Sequence, residues 1–101
     1  MNATKRFIVD TDELQVNFEK FCIPERMRGG IARYLTDGIP TGDFLKSVIE
    51  NDLRMALWTA DNENLAILPN YVRFFHNACP GLSWGSRDRR SAWIKQQSEG
   101  L

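Results

Sequence analysis

The sequence predicts an all-α fold, a compact single domain of five to six short helices with a short extended segment at the N-terminus. Apolar residues recur at helical spacing along most of the chain, proline and glycine stand at helix starts and ends, and Asp, Ser or Thr precede several helices as N-caps. Because 101 residues, 43% of them hydrophobic, suffice for one core and not for two, residues 1–101 are predicted to form a single domain.

The first part of the chain contains an N-terminal segment and one helix. Residues 1–10 show no clear period, and residues 7–9 fit either a short strand or an apolar strap laid over the helices. Thr11 or Asp12 is the predicted N-cap of a helix that ends before Pro24, because the residue before a proline resists helical geometry.

Proline, glycine and a cap residue delimit the next two helices. One begins at Pro24 and ends before Gly38, and the following helix begins after Thr41 as its N-cap. Gly29 and Gly30 stand in the first of these helices at a cost of roughly 1 kcal/mol each relative to alanine. This pair predicts close approach of another helix, with a bound ligand as the alternative.

The second half of the chain has similar signals. Asp52 and Asp61 are predicted N-caps, although a single helix running through Asn51 is a competing interpretation. Pro69 interrupts an apolar pattern and should kink or split that helix. The last helix is capped by Ser86 and should fray after Gln97.

Charge and cysteine content exclude several classes of protein. Lys+Arg and Asp+Glu number 13 each, which argues against a DNA mimic and against a protein whose main role is to neutralise phosphates. The sequence has no Cys/His cluster with metal-ligand spacing, so no metal or cofactor is predicted. It also shows no signal peptide and no membrane span. We therefore expect a cytoplasmic protein that does not contact membranes, with Cys22 and Cys79 as free thiols.

The sequence does not predict an enzyme. His76 is the only histidine, and Cys79 lies one helical turn after it, but neither an orienting third group nor an oxyanion site is apparent. Neither GxxxxGK[ST] nor GxGxxG is present, which excludes the familiar nucleotide-binding loops.

The first candidate binding surface is the start of the last helix. Arg87, Arg89 and Arg90 lie near Trp84 in sequence, and Trp and Arg dominate protein-binding hot spots. Basic and aromatic residues together also bind single-stranded nucleic acid. A buried tryptophan beside a solvated arginine face is the competing structural interpretation.

The second candidate surface surrounds the glycine pair. Arg28 and Arg33 are predicted to contact the partner. Gly29, Gly30 and Arg33 also form a candidate ligand site, because free backbone amides near a helix N-terminus and a guanidinium group can hold a phosphate. Ordinary surface ion pairs are the competing interpretation here.

Several short motifs between residues 23 and 94 resemble small uncharacterised proteins encoded by bacteriophages and prophages. Among them are Arg28-Gly29-Gly30-Ile31, Gly38-Ile39-Pro40, Asn51-Asp52-Leu53 and Trp84-Gly85-Ser86. The resemblance brings no established activity and no functional residue. It implies a non-enzymatic accessory protein that binds and inhibits a bacterial host macromolecule, such as a component of an antiviral defence system, in the manner of anti-CRISPR proteins.

Two alternatives stay open. One is a homo-oligomer that sequesters a signalling nucleotide at Gly29, Gly30 and Arg33. The other is a regulator that binds nucleic acid, which the balanced charge disfavours.

Overall fold

The computed structural model describes residues 5–100, and all regular secondary structure in this range is helical. The elements are α1 (Thr11–Lys20), α2 (Glu25–Asp37), α3 (Asp43–Ile49), α4 (Leu53–Thr59), α5 (Asn62–Ala66), α6 (Leu68–Ala78), a 3-10 turn (Gly81–Ser83) and α7 (Arg87–Glu99). The predicted all-α class is confirmed. The described residues form seven α-helices rather than five or six, because the chain breaks both at Asp52 and before Pro69.

Helix boundaries follow capping interactions that the sequence largely predicts. The side chains of Asp52, Asp61 and Ser86 each accept a hydrogen bond from the backbone N–H three residues later, at 3.1, 2.8 and 3.1 Å. Each such cap stabilises its helix by about 1 kcal/mol. Gly38 ends α2 with a φ of 68°, a left-handed conformation that glycine adopts without a Cβ penalty.

Two predicted caps are wrong. Asp10, rather than Thr11 or Asp12, caps α1, and its carboxylate accepts two backbone N–H bonds of the first turn, both at 3.1 Å. Gly42, rather than Thr41, precedes α3. The Thr41 hydroxyl donates instead to the carbonyl of Gly42, at 3.2 Å. Ser, Thr and Asp side chains bond equally well to nearby turns, so the sequence alone did not distinguish between neighbouring candidates.

The N-terminal segment is a strap and not a strand in the described range, residues 5–10. Residues 1–4 of the predicted segment lie outside that range. The ring of Phe7 lies 5.5 Å from that of Trp93 on α7. Helix α7 continues to Glu99 instead of fraying after Gln97, since the Gln97 side chain is fully buried and bonded to the strap.

The core is rich in aromatic side chains. Phe18 of α1 stacks on Phe74 of α6 with ring centroids 5.2 Å apart, and both are fully buried. Tyr34 of α2 is also fully buried, and its hydroxyl donates to the carbonyl of Ser83 at 2.6 Å. A buried hydroxyl without a partner is costly, so this bond holds the 3-10 turn against α2.

The glycine pair of α2 does not mark close contact with another helix backbone. A Cβ atom at Gly30 would lie 3.9 Å from Cδ1 of Leu45, an ordinary van der Waals distance. A Cβ atom at Gly29 would lie 3.0 Å from the guanidinium of Arg33, which is the mobile end of a long side chain. The prediction that another helix closely approaches Gly29 and Gly30 is therefore wrong at both positions.

We expect Gly30→Ala to raise the free energy of unfolding by roughly 0.5–1 kcal/mol, because the methyl group fits and the unfolded chain loses conformational freedom. Gly38→Ala should lower it by more than about 1 kcal/mol, because φ is positive and the Cβ atom would lie 2.5 Å from the carbonyl oxygen of Ile94. Urea unfolding followed by circular dichroism measures both changes. A gain in stability for Gly38→Ala would contradict the left-handed conformation of Gly38 and its close contact with Ile94.

Candidate protein-interaction surface

Helix α4 presents large apolar side chains to solvent. Leu53 is 65% exposed, Trp58 is 83% exposed and Leu57 is nearly half exposed, whereas Ala56 is the buried residue of this helix. Leu53 and Leu57 are four residues apart and therefore share a face. Single exposed apolar residues are ordinary, but a contiguous group is typical of an interaction site.

The turn before α4 explains this exposure. Asn51 has a φ of 59°, and the backbone N–H of Asp52 donates to the carbonyl of Ser47 at 2.8 Å, so the chain reverses within two residues. Helix α4 consequently packs chiefly against α3. With two turns it buries one narrow face, which leaves the side of Leu57 and Trp58 uncovered.

An apolar groove extends this surface toward α6 and the loop before α7. Leu53 and Ala56 of α4 line it together with Leu68 and Val72 of α6 and with Trp84. On the other side of α4, Arg54, Met55, Leu57 and Trp58 border a depression of about 560 Å³. We call the exposed or half-exposed apolar residues of this region, Leu53, Leu57, Trp58, Val72 and Trp84, the α4 surface.

Trp84 is the predicted site residue that belongs to the α4 surface. Its ring lies 5.9 Å from that of buried Phe75, so one side packs on the core while the other borders the groove. Sequence analysis identified Trp84 but missed Leu53, Leu57 and Trp58, because apolar residues in a capped helix are normally assigned to the core. The adjacent pair Leu57-Trp58 is no signal of exposure, because the adjacent residues Val48 and Ile49 on the equally short α3 are both buried.

The predicted arginines of α7 differ in their surroundings. Arg89 donates from Nη1 to the carbonyl of Gly81 at 3.1 Å and to that of Trp84 at 3.4 Å, so it holds the loop before its own helix. Arg87 is exposed and borders a depression that is also lined by the acidic residues Asp43 of α3 and Glu50 and Asp52 of the turn after it. Arg87 is therefore better placed than Arg89 to contact a partner.

Arg90 connects α7 to α3. Its Nη1 atom lies 3.4 Å from a carboxylate oxygen of Glu50, and the two side chains are only 14% and 10% exposed. A charge withdrawn from water is destabilising unless it is paired, which makes Arg90 and Glu50 dependent on each other. The arrangement gives Arg90 a structural role whether or not it also contacts a partner.

The predicted residues around the glycine pair are divided in the same way. Arg28 donates from Nε to the carbonyl of Ile23 at 2.8 Å and pairs through Nη1 with Glu19 at 2.6 Å, so it links α2 to the end of α1. Arg33 is exposed, and its guanidinium lies over Gly29. Gly30 faces Leu45 instead. The partner and ligand roles of these residues stay predictions.

Cys79 and His76, the residues considered for nucleophilic chemistry, differ in their surroundings. Burial raises the pKa of the Cys79 thiol, which keeps it protonated at neutral pH. His76 is exposed, with its ring 6.5 Å from that of Trp84. Between residues 5 and 100, the structure groups no three His, Cys, Asp or Glu side chains in a way that suits a metal ion. No helix in this range is long and apolar enough to cross a membrane.

Comparisons of the chain with models of known protein families, with curated proteins and with solved structures find no match.

We expect Arg90→Ala to lower the free energy of unfolding by roughly 2–3 kcal/mol, because it leaves Glu50 largely buried without its partner. Arg87→Ala, on the same helix but exposed, should change it by less than about 0.5 kcal/mol. Thermal and urea unfolding of the two variants measure the difference. Equal effects would show that Arg90 does not connect α7 to α3 in solution.

Proposed function

We propose that this chain is a non-enzymatic, cytoplasmic protein that binds a bacterial host protein through the α4 surface and inhibits it. The exposure of Trp58 beside Leu57 and Leu53 carries the proposal. The resemblance to phage and prophage proteins supports a bacterial host protein as the partner, and a component of an antiviral defence system is the class that we favour.

The composition of the α4 surface suits protein recognition. Trp58 offers a large ring with only two side-chain torsions to immobilise, so its burial by a partner costs little conformational entropy. Leu53 and Leu57 add apolar area on the face that they share, and Trp84 contributes a ring that the core already holds in place. Tryptophan is enriched at interface hot spots, and a ring that is already ordered in the free protein lowers the entropic cost of binding.

Charged residues border the apolar side chains. Arg54 lies in the same depression as Trp58, and Asp52 lies at the rim of the groove. Charges at the rim of an interface direct orientation and association rate more than affinity. We therefore expect the partner to place an acidic side chain opposite Arg54.

The exposed arginines supply a second contact region. Arg33 and Arg87 have the exposure that partner binding requires, whereas Arg28 and Arg90 are engaged within the fold. The nucleotide-sequestering and nucleic-acid-binding alternatives remain predictions of the sequence.

Affinity capture from a bacterial lysate tests the proposal with a matched pair of variants. Trp58→Ala removes the most exposed ring of the α4 surface, and Val16→Ala removes a similarly exposed apolar side chain on α1. We expect the wild type and Val16→Ala to retain a host protein in stoichiometric amount and Trp58→Ala to lose it. With the purified pair, calorimetry should show a Kd raised about 30-fold or more by Trp58→Ala, as expected for a hot-spot residue.

Equal melting temperatures of the variants exclude loss of binding through unfolding. Suppose a partner is retained by Trp58→Ala and lost by the double variant Arg33→Glu, Arg87→Glu. This result would show that the partner binds to Arg33 and Arg87, and it would refute binding through the α4 surface. The absence of any retained protein, together with stabilisation by a nucleotide in a thermal-shift panel, would favour the nucleotide-binding alternative.

A further inference from the structure

A buried glutamine on α7 holds the N-terminal strap by its backbone. The Gln97 side chain is fully buried, and its Oε1 atom accepts the backbone N–H of Phe7 at 2.7 Å. Its Nε2 atom donates to the carbonyl of Phe7 and to that of Leu35, both at 2.8 Å. We call Gln97, Trp93 and the last turn of α2 the clasp.

The clasp recognises an extended peptide segment. The carboxamide pairs with both the N–H and the C=O of one residue, as a neighbouring β-strand does, and this pairing is independent of that residue's side chain. Selectivity comes from the ring of Phe7, which lies 5.5 Å from that of Trp93. Arg6 adds a bond from Nε to the backbone carbonyl of Gln97 at 3.0 Å and an ion pair with Asp37 at 3.6 Å.

The attachments of the strap are all distant in sequence. Each hydrogen bond between the strap and α7 joins residues 90 or 91 positions apart. Between Phe7 and the cap residue Asp10 stand only Ile8, which is 81% exposed, and half-buried Val9. A cavity of about 330 Å³ lies between these residues and Leu14, so the link beside the clasp is loosely packed.

We infer that the clasp also accepts residues 5–9 of a second copy of this chain, so that two molecules exchange straps and form a dimer. Every bond of the clasp is the same whether the strap comes from its own chain or from another. The exchange is therefore governed by the short link and by concentration rather than by the contacts themselves. Ile8 and Val9 are β-branched and favour the extended backbone that a strap reaching to a second molecule needs.

Paramagnetic labelling of the full chain tests the exchange. The variant Lys5→Cys, Cys22→Ser, Cys79→Ala carries a spin label at position 5 alone, because both native free thiols are removed. It is mixed with nitrogen-15-labelled wild type that has no spin label. We expect intermolecular broadening of the Trp93 indole and Gln97 side-chain amide signals that grows as the concentration rises through about 1 mM, the effective concentration typical of a short link. Light scattering should show a species of twice the monomer mass.

A second spin-labelled chain, which also carries Phe7→Ala, shows whether the strap occupies the clasp. Phe7→Ala removes the ring that contacts Trp93 and should reduce the intermolecular broadening at least threefold. The absence of broadening in the nitrogen-15-labelled wild type at all concentrations would overturn the exchange. Broadening that is unchanged by Phe7→Ala would also overturn it, because the two molecules would then associate through another region such as the α4 surface. Neither outcome affects capture of a host protein, so the two proposals fail separately.

Discussion

Helix α6 is the element on which the packing of the other helices depends. Its Tyr71, Phe74 and Phe75 are fully buried and contact the aromatic rings of Phe44 on α3, Phe18 on α1 and Trp84 in the loop before α7. Helices of five to thirteen residues are marginal in isolation, so burial against this aromatic face is what stabilises them. Hydrogen bonds between buried polar groups then select a single arrangement of the packed helices. One of these is the hydrogen bond from the Tyr71 hydroxyl to Asn64, at 2.6 Å.

The α4 surface is exposed because other helices occupy the aromatic face of α6. Helix α6 presents its aromatic face to α1 and α3, and α4 reaches the core mainly through Ala56. Leu53, Leu57 and Trp58 of α4 stay largely at the surface, where their exposed apolar area does not stabilise the monomer. Apolar side chains that the fold does not use are the physical reason to propose a partner. The strap shows the complementary case, in which a chain end is held mainly by polar bonds from one buried glutamine.

The arginines illustrate how one residue type serves different purposes in one fold. Arg28 and Arg90 satisfy carboxylates or carbonyls of neighbouring elements, and Arg89 holds the loop that positions Trp84. Arg33 and Arg87 extend into solvent. In sequence all five are basic residues near a glycine or a tryptophan, and their spacing does not separate the two groups. An arginine side chain stabilises the fold only when folding brings an acceptor such as Glu50 within hydrogen-bonding distance. Because that acceptor is distant in sequence, local spacing does not predict the pairing.

The sequence by itself determined the helical class and the caps at Asp61 and Ser86, because these depend on residues within one turn of each other. It left open whether the chain breaks at Asp52 and whether Pro69 kinks or splits its helix, and the structure has a break at both places. The sequence also named Trp84 as a candidate contact residue, with a place in the core as the alternative. Tertiary structure alone decided that Leu53, Leu57 and Trp58 face solvent, that Gln97 holds the strap and that Arg90 is paired with Glu50. Hydrophobic periodicity shows that a helix has an apolar face, but which faces are covered depends on the helices that compete for the same core.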